Sequence, residues 1–150
     1  MAAAVQYVTL GTSNEVFAAP VEKVREILDM CAVSRLPRMP PHMLGMIDVR
    51  GQTVPLVDLS LTLGLERADD TPQTRIVVMT IAGGVQATIA IRTDRVFEVA
   101  SLDAEALEDP ISLGGQWSAH CVAGIGRRNG SFVTVLDFDR LLDSYSEVAM

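Results

Sequence analysis

Aromatic residues and positive charge are both scarce in this sequence. Phe, Trp and Tyr make up 5% of its 150 residues, and 12 Lys and Arg stand against 19 Asp and Glu, for a net charge of -7. Proteins that bind nucleic acid neutralise phosphates with cationic side chains, and many stack bases on aromatic rings. Both deficits argue against nucleic acid, and an anionic membrane surface would repel the chain. A protein partner or a small ligand remains.

Long apolar runs are also missing, although 49% of the residues are hydrophobic. A membrane-spanning helix needs about 20 consecutive apolar residues, and runs such as residues 76–79 are far shorter. The N-terminus lacks the basic region and the apolar stretch of a secretory signal. We therefore expect a cytoplasmic protein with no direct membrane insertion.

Residues that carry chemistry are few and dispersed. Cys31 and Cys121 form no CxxC pair, so in a reducing cytosol we expect two buried thiols. Neighbouring residues on a strand point to opposite faces, so His120 is badly placed to act with Cys121. His42 lies in a proline-rich loop, and the spacings fit no compact zinc site. Phosphate-binding glycine loops and a GxSxG elbow are absent from the sequence, so we expect no enzyme and no cofactor.

The sequence otherwise alternates short apolar segments with turn residues, which is typical of strands. A hairpin is predicted around residues 11–14, and a short amphipathic helix over residues 21–28, where apolar residues recur at helical spacing after Pro20. Prolines make residues 36–41 a connecting loop. Further loops are expected at residues 66–74, 83–84 and 101–119, and a closing helix at residues 138–145.

The sequence contains a weak internal repeat. Residues 45–59, GMIDVRGQTVPLVDL, align without gaps with residues 124–138, GIGRRNGSFVTVLDF. Both copies predict a strand, a glycine turn, a second strand, an aspartate cap and a helix. The structural residues of this pattern are Gly45, Gly51, Asp58, Gly130 and Asp137. Upstream, residues 24–27 resemble residues 96–99. Such self-similarity indicates two units of one design.

We therefore predict a mostly β fold of two packed five-stranded β-barrels with short helices, one of them C-terminal. Neither half is long enough to bury much apolar surface alone, so residues 1–150 should form a single domain with a shared interface. Residues 1–70 should supply mainly the first barrel and residues 71–150 mainly the second, with exchange of strands between them as an alternative.

Residues 45–59 closely resemble the signature of the CheW family, a glycine followed by an N-L-R-G-like turn and a P-x-x-D-L strand end. Residues 21–27 resemble the first helix of that family, and residues 93–99 and 124–142 resemble later segments. The resemblance implies two SH3-like barrels and an adaptor without cofactors. Its partners would be the cytoplasmic tip of a methyl-accepting chemoreceptor and the regulatory domain of the histidine kinase CheA, in receptor arrays at the membrane.

The resemblance also suggests partner-binding residues. A groove between barrels can accept the apolar stripe of a helical hairpin, and Val24, Val96 and Val99 are candidates for its wall, with plain core packing as the alternative. Glu26 and Arg50 match family positions associated with partner contact, although Arg50 also suits a solvated turn.

The chain departs from the family pattern at two positions. Asp48 replaces the asparagine of the turn, which places a negative charge beside Arg50, and Arg95 stands where a small residue is frequent. Both departures bear on the choice of partner, so Asp48 belongs with the candidate partner-binding residues.

Two other readings stay open. One is a CheW-like paralogue that serves a non-flagellar chemosensory pathway. The other belongs to a different class, a small-ligand sensor or a metal-dependent enzyme on an SH3-like scaffold.

Overall fold

The computed structural model describes residues 5–81, 87–102 and 121–142, and these residues form mainly β-strands. The strands are β1 (Gln6–Thr12), β2 (Glu15–Pro20), β3 (Val24–Asp29), β4 (Met43–Val49), β5 (Gln52–Asp58), β6 (Arg75–Ile81), β7 (Ala87–Thr93), β8 (Arg95–Ser101), β9 (Val122–Arg128) and β10 (Ser131–Leu136). A 3-10 turn (Val21–Lys23) precedes β3, α1 (Leu59–Thr62) follows β5, and α2 (Phe138–Leu141) follows β10. Within these ranges, every helix is too short or too polar to cross a membrane.

The strands form two five-stranded sheets with the same plan. The first sheet has the order β8-β1-β2-β10-β9, and the second has the order β3-β6-β7-β5-β4. In each sheet one pair is parallel, β2 with β10 and β5 with β7, and the other pairs are antiparallel. The predicted fold class, mostly β with two five-stranded units and short helices, is confirmed.

The two sheets do not correspond to the two halves of the sequence. The hairpin β1-β2 pairs with β8, β9 and β10, and the hairpin β6-β7 pairs with β3, β4 and β5. The strands before residue 70 supply three of the five strands of the second sheet, β3, β4 and β5, and those beyond it supply three of the five strands of the first, β8, β9 and β10. Each half of the chain also gives one hairpin, β1-β2 or β6-β7, to the sheet that the other half mainly supplies.

The internal repeat is reproduced in the backbone. Strands β4 and β5 pair in the same register as β9 and β10, each hairpin has a β-bulge at the same place, and each is followed by a short helix, α1 or α2. The turns match as well, since φ is +52° at Arg50 and +84° at Gly51, and +53° at Asn129 and +82° at Gly130. A two-residue turn with positive φ at both positions fits the right-handed twist of a hairpin.

Aspartates begin both helices, as predicted. The Asp58 carboxylate accepts a hydrogen bond from the Leu61 amide at 3.1 Å. The Asp137 carboxylate accepts one from the Arg140 amide at 3.2 Å. Each bond pairs an amide that the first helical turn cannot satisfy, an effect worth about 1 kcal/mol.

The central strands are buried on both faces. Along β6, Val77 and Met79 face a core shared by the two sheets, whereas Ile76 and Val78 face a core internal to the second sheet. A smaller cluster around Val133 lies within the first sheet. Burial on both sides explains the uninterrupted apolar run of β6, because a strand with one solvated face would alternate.

The helix predicted over residues 21–28 is wrong. Only the 3-10 turn is helical, and residues 24–29 form β3, which pairs with β6. A β-bulge between Val24 and Glu26 shifts the register, so Val24 and Ile27 lie on one face of a strand. Their three-residue spacing therefore matched the apolar periodicity of a helix, although both residues lie on a strand.

Cys31 is exposed, which contradicts the expected burial, because it lies in the connection that follows β3. Cys121 is buried, as expected. His120, the turn at residues 83–84, most of the loop at residues 101–119 and the end of the closing helix lie outside the described residues.

Candidate partner-binding surface

Two edge strands, β3 and β8, place apolar side chains at the border of the shared core. Val24 pairs with Met79 and Ile27 pairs with Val77, and both partners belong to that core. Val24 is partly buried against it, whereas Ile27 is 40% exposed. The outer edge of the second sheet therefore presents apolar side chains to solvent, and the shared core beneath holds them in place.

Strand β8 repeats this arrangement on the first sheet. A bulge in the pairing with β1 sets Val96 opposite Leu10 and Val99 opposite Val8, so both valines share the face of two core residues. Val96 packs against the core, and Val99 is 51% exposed. We call Val24, Ile27, Val96 and Val99 the apolar rim. Ile27 was not among the predicted residues, although its match to Val99 in the repeat indicated it.

Glu26 and Arg50 form an ion pair beside this rim. The Arg50 Nε donates a hydrogen bond to Glu26 Oε2 at 3.2 Å. Strands β3 and β4 are the opposite edges of their sheet, so a contact between β3 and the β4-β5 turn requires the sheet to curl. Paired backbone hydrogen bonds between Ser34 and Met46, at 2.8 and 2.9 Å, hold the β3-β4 connection against β4. The Arg50 side chain remains 82% exposed.

A second ion pair occupies the corresponding place in the first sheet. Arg128 Nη2 lies 3.1 Å from Glu98 Oε1, which joins the end of β9 to β8. Glu98 is the repeat equivalent of Glu26. This pair was not predicted from the sequence, because Arg128 precedes its turn, whereas Arg50 lies within the turn.

Asp48 orders the turn that carries Arg50. Its Oδ1 accepts a hydrogen bond from the Gly51 amide at 2.8 Å. The side-chain oxygen of asparagine can accept the same bond, so this departure from the family pattern keeps the turn and changes only its charge. Asp48 is exposed on the same surface as Arg50.

Arg95 covers an aromatic ring on the outer side of β8. Its guanidinium carbon lies 4.5 Å from the centre of the Phe97 ring, which is a cation–π arrangement. Both side chains lie over Gly11, where a Cβ atom would come within 2.8 Å of Phe97. The absence of a side chain at Gly11 therefore makes room for the pair.

A buried arginine was missed entirely by the sequence analysis. Arg92 is 0% exposed and donates hydrogen bonds to Asp70 at 2.7 Å and to Asp58 at 3.0 Å. Burial is the largest influence on its pKa and lowers it, but the hydrogen bonds and charges of Asp70 and Asp58 outweigh burial and raise the pKa of Arg92. The available signal was an arginine directly after the apolar residues 89–91.

The surroundings of Arg92 tie the two sheets together. Arg92 also lies 3.3 Å from Asp94, whose other carboxylate oxygen accepts a hydrogen bond from the Ser13 amide at 3.0 Å. The Thr12 and Ser60 hydroxyls are hydrogen-bonded to each other, which links the β1-β2 hairpin to α1. These bonds fix the first sheet against the second, and so fix the two halves of the apolar rim relative to one another.

The described residues offer no metal centre. No three His, Cys, Asp or Glu residues within them are placed to hold a metal ion. What the surface offers is a set of anchored apolar side chains and an exposed arginine, which suits contact with a macromolecule.

Comparison with known proteins identifies a family whose domain covers nearly all of the chain. The CheW-like domain matches residues 6–146. The chain is 24% identical to the chemotaxis protein CheW of Helicobacter pylori over 91% of this chain and 81% of that protein. It is 29% identical to the protein FrzA of Myxococcus xanthus over 87% of this chain and 81% of that protein.

A solved structure has the same fold. The scaffolding protein TtCheW from Thermoanaerobacter tengcongensis matches with a TM-score of 0.83 at 20% identity, covering 95% of this chain and 90% of that one. The likeness therefore extends over both sheets.

Proposed function

The chain belongs to the CheW-like domain family, and on that premise we propose that it is a non-catalytic adaptor in chemosensory signalling. It couples the cytoplasmic tip of a chemoreceptor to the regulatory domain of the histidine kinase CheA. Its place is the cytoplasm, recruited to receptor arrays at the membrane. The match over residues 6–146 carries the proposal, because it includes the apolar rim and the turn of Arg50.

The apolar rim is the proposed receptor site. A receptor tip is a helical hairpin, and an amphipathic helix binds by laying its apolar stripe against an apolar groove. Val24 and Val96 are held by the shared core, while Ile27 and Val99 are exposed to contact a partner. A rigid site of this kind loses little conformational entropy on binding.

The turn of Arg50 is the proposed kinase site. In the described residues, only Nε of Arg50 is hydrogen-bonded, so the outer nitrogens of the guanidinium are available to a carboxylate of the partner. Glu26 orients the arginine from one side, and Asp48 orders the turn beneath it. The negative charge of Asp48 favours a kinase surface with a cationic side chain nearby.

The proposal is tested by co-sedimentation. Purified protein is mixed with membranes that carry a chemoreceptor from the same organism and with CheA, and the pellet is analysed for both proteins. We expect CheA to sediment with receptor membranes only when this protein is present, and its autophosphorylation to change in the ternary mixture. The adaptor role is rejected if neither CheA nor the receptor membranes retain the protein.

The pathway served is a separate question. Its relatives include proteins named CheW and the protein FrzA. A pull-down from native lysate identifies the pathway by which receptor is recovered, since a receptor of a non-flagellar system would support the paralogue alternative.

A further inference from the structure

A pocket outside the proposed partner sites collects positive charge. It has a volume of about 370 Å³ and lies between the β3-β4 connection, α1 and the segment after α1. Small-ligand sites in proteins start at roughly this size. Its lining includes three arginines, Arg35, Arg38 and Arg67, and three apolar residues, Met39, Pro40 and Leu61.

The charge of this pocket is opposite to that of the protein. Three arginines line it and no Asp or Glu does, although the chain as a whole carries a net charge of -7. Arg67 lies 3.6 Å from Asp70. Within the described residues, the side chains of Arg35 and Arg38 have neither an ion pair nor a hydrogen bond, so their donors are available to a ligand.

The backbone conformation at Arg38 is strained. Its φ is +61°, in a turn whose preceding residue is Pro37. A position of this kind favours glycine or asparagine, because a Cβ atom is strained there. The presence of arginine at this strained position is explained if its guanidinium has a function at the place where the turn holds it.

The rest of the pocket wall is apolar and fixed in place. The Leu36 amide donates a hydrogen bond to the sulfur of Met39 at 3.2 Å, and the Met43 amide donates one to the Pro40 carbonyl at 3.0 Å. The bridge between Ser34 and Met46 holds the start of the loop. A preformed wall with few polar groups suits a compact apolar body.

We propose that this pocket binds a small organic anion, a phosphate or carboxylate on an apolar ring or chain. The arginines hold the anion, since guanidinium groups match phosphate and carboxylate geometry, and Met39, Pro40 and Leu61 hold the apolar part. The pocket lies at the start of β4, and the Arg50 turn lies at its end, about 20 Å away for a strand of this length. The ligand therefore leaves the proposed kinase site free.

Calorimetric titration of the full chain with phenyl phosphate tests the proposal, with inorganic phosphate as the comparison. We expect saturable binding of phenyl phosphate and at least severalfold weaker binding of inorganic phosphate, which lacks the apolar part. Arg38→Gly should weaken phenyl phosphate binding about tenfold by removing a charge-assisted contact. The same change should leave the melting temperature unchanged or raised, because glycine relieves the turn.

Two further variants separate a specific effect of the pocket from a general effect of charge. Arg35→Gln should also weaken binding, whereas Arg140→Gln, which removes an equal charge from the exposed end of α2, should leave it within about twofold. Absence of saturable binding up to about 10 mM phenyl phosphate overturns the proposal. So does an equal loss in Arg140→Gln. If phenyl phosphate fails but Arg38→Gly weakens co-sedimentation with CheA, the pocket takes an acidic side chain of a partner instead, and the small-ligand proposal is wrong.

Discussion

Arg50 and Glu26 lie on opposite edges of one sheet, and their side chains meet at 3.2 Å. The pair therefore marks where the second sheet curls until its edges approach. Arg128 and Glu98 do the same for the first sheet. The second pair therefore offers a matched control for a substitution at Arg50.

Arg50→Glu should reverse the charge at the proposed kinase site without unfolding the protein. Exposed ion pairs contribute at most about 1 kcal/mol, so the melting temperature should change little, while co-sedimentation with CheA should fall about tenfold or more because like charges then meet. Arg128→Glu breaks the equivalent pair and serves as the control. An equal loss of CheA binding in both variants would show that Arg50 has no special role.

Val99→Asp should weaken receptor binding without destabilising the core. Val99 is 51% exposed, so an aspartate there stays solvated and the protein should remain folded. Receptor membranes should retain it much less well, because a charge opposite an apolar helix stripe is desolvated on binding. Val5→Asp, at another exposed valine, is the control.

Val96→Asp tests the other role that a rim valine can have. Val96 packs against the shared core, so the charge is partly buried and unfolding should begin at lower urea concentration, with receptor binding lost as well. A urea melt that matches the wild type would place Val96 at the surface and contradict its packing against the core.

Arg92→Met should destabilise the protein by about 3–5 kcal/mol, because Asp58 is left buried without its cation. Urea unfolding measures the loss. Arg140→Met removes an arginine that is 66% exposed and should change the free energy of unfolding by less than about 1 kcal/mol. If both variants unfold alike, the Arg92 cluster does not join the sheets.

Gly45→Ala should be more damaging than Gly51→Ala. At Gly45, φ is +150° and a Cβ atom would collide with the Ser34 carbonyl oxygen and lie 2.7 Å from Val33, so the bridge between Ser34 and Met46 must break. At Gly51, φ is +84° and the space is open, so only conformational strain of about 1 kcal/mol is added. Thermal melts of both variants give the comparison, and equal melting temperatures would contradict it.

Sequence patterns were sufficient where the structure is local. The turns at Gly51 and Gly130 and the caps at Asp58 and Asp137 follow from residues close in the chain. The pairing of strands distant in sequence could not be predicted, because a repeat indicates two similar units without showing which hairpin pairs with which copy.

Two features of the site show the same limit. The bulge in β3 gave Val24 and Ile27 a spacing that periodicity alone assigns to a helix. The partners of Arg92 are spread between residues 58 and 94, so no short motif announces them.

The exchange of hairpins between the repeats has a consequence for biosynthesis. Phe17 pairs with Thr134, so the ribosome makes β2 long before its neighbour β10 exists. Until β8 emerges, the first hairpin has no neighbouring strand, and until β10 emerges its β2 edge stays unpaired, so its apolar faces are accessible to chaperones or to aggregation. Nascent chains of this protein should therefore reach their native state only after β9 and β10 have left the ribosome, and more slowly than proteins whose contacts are local.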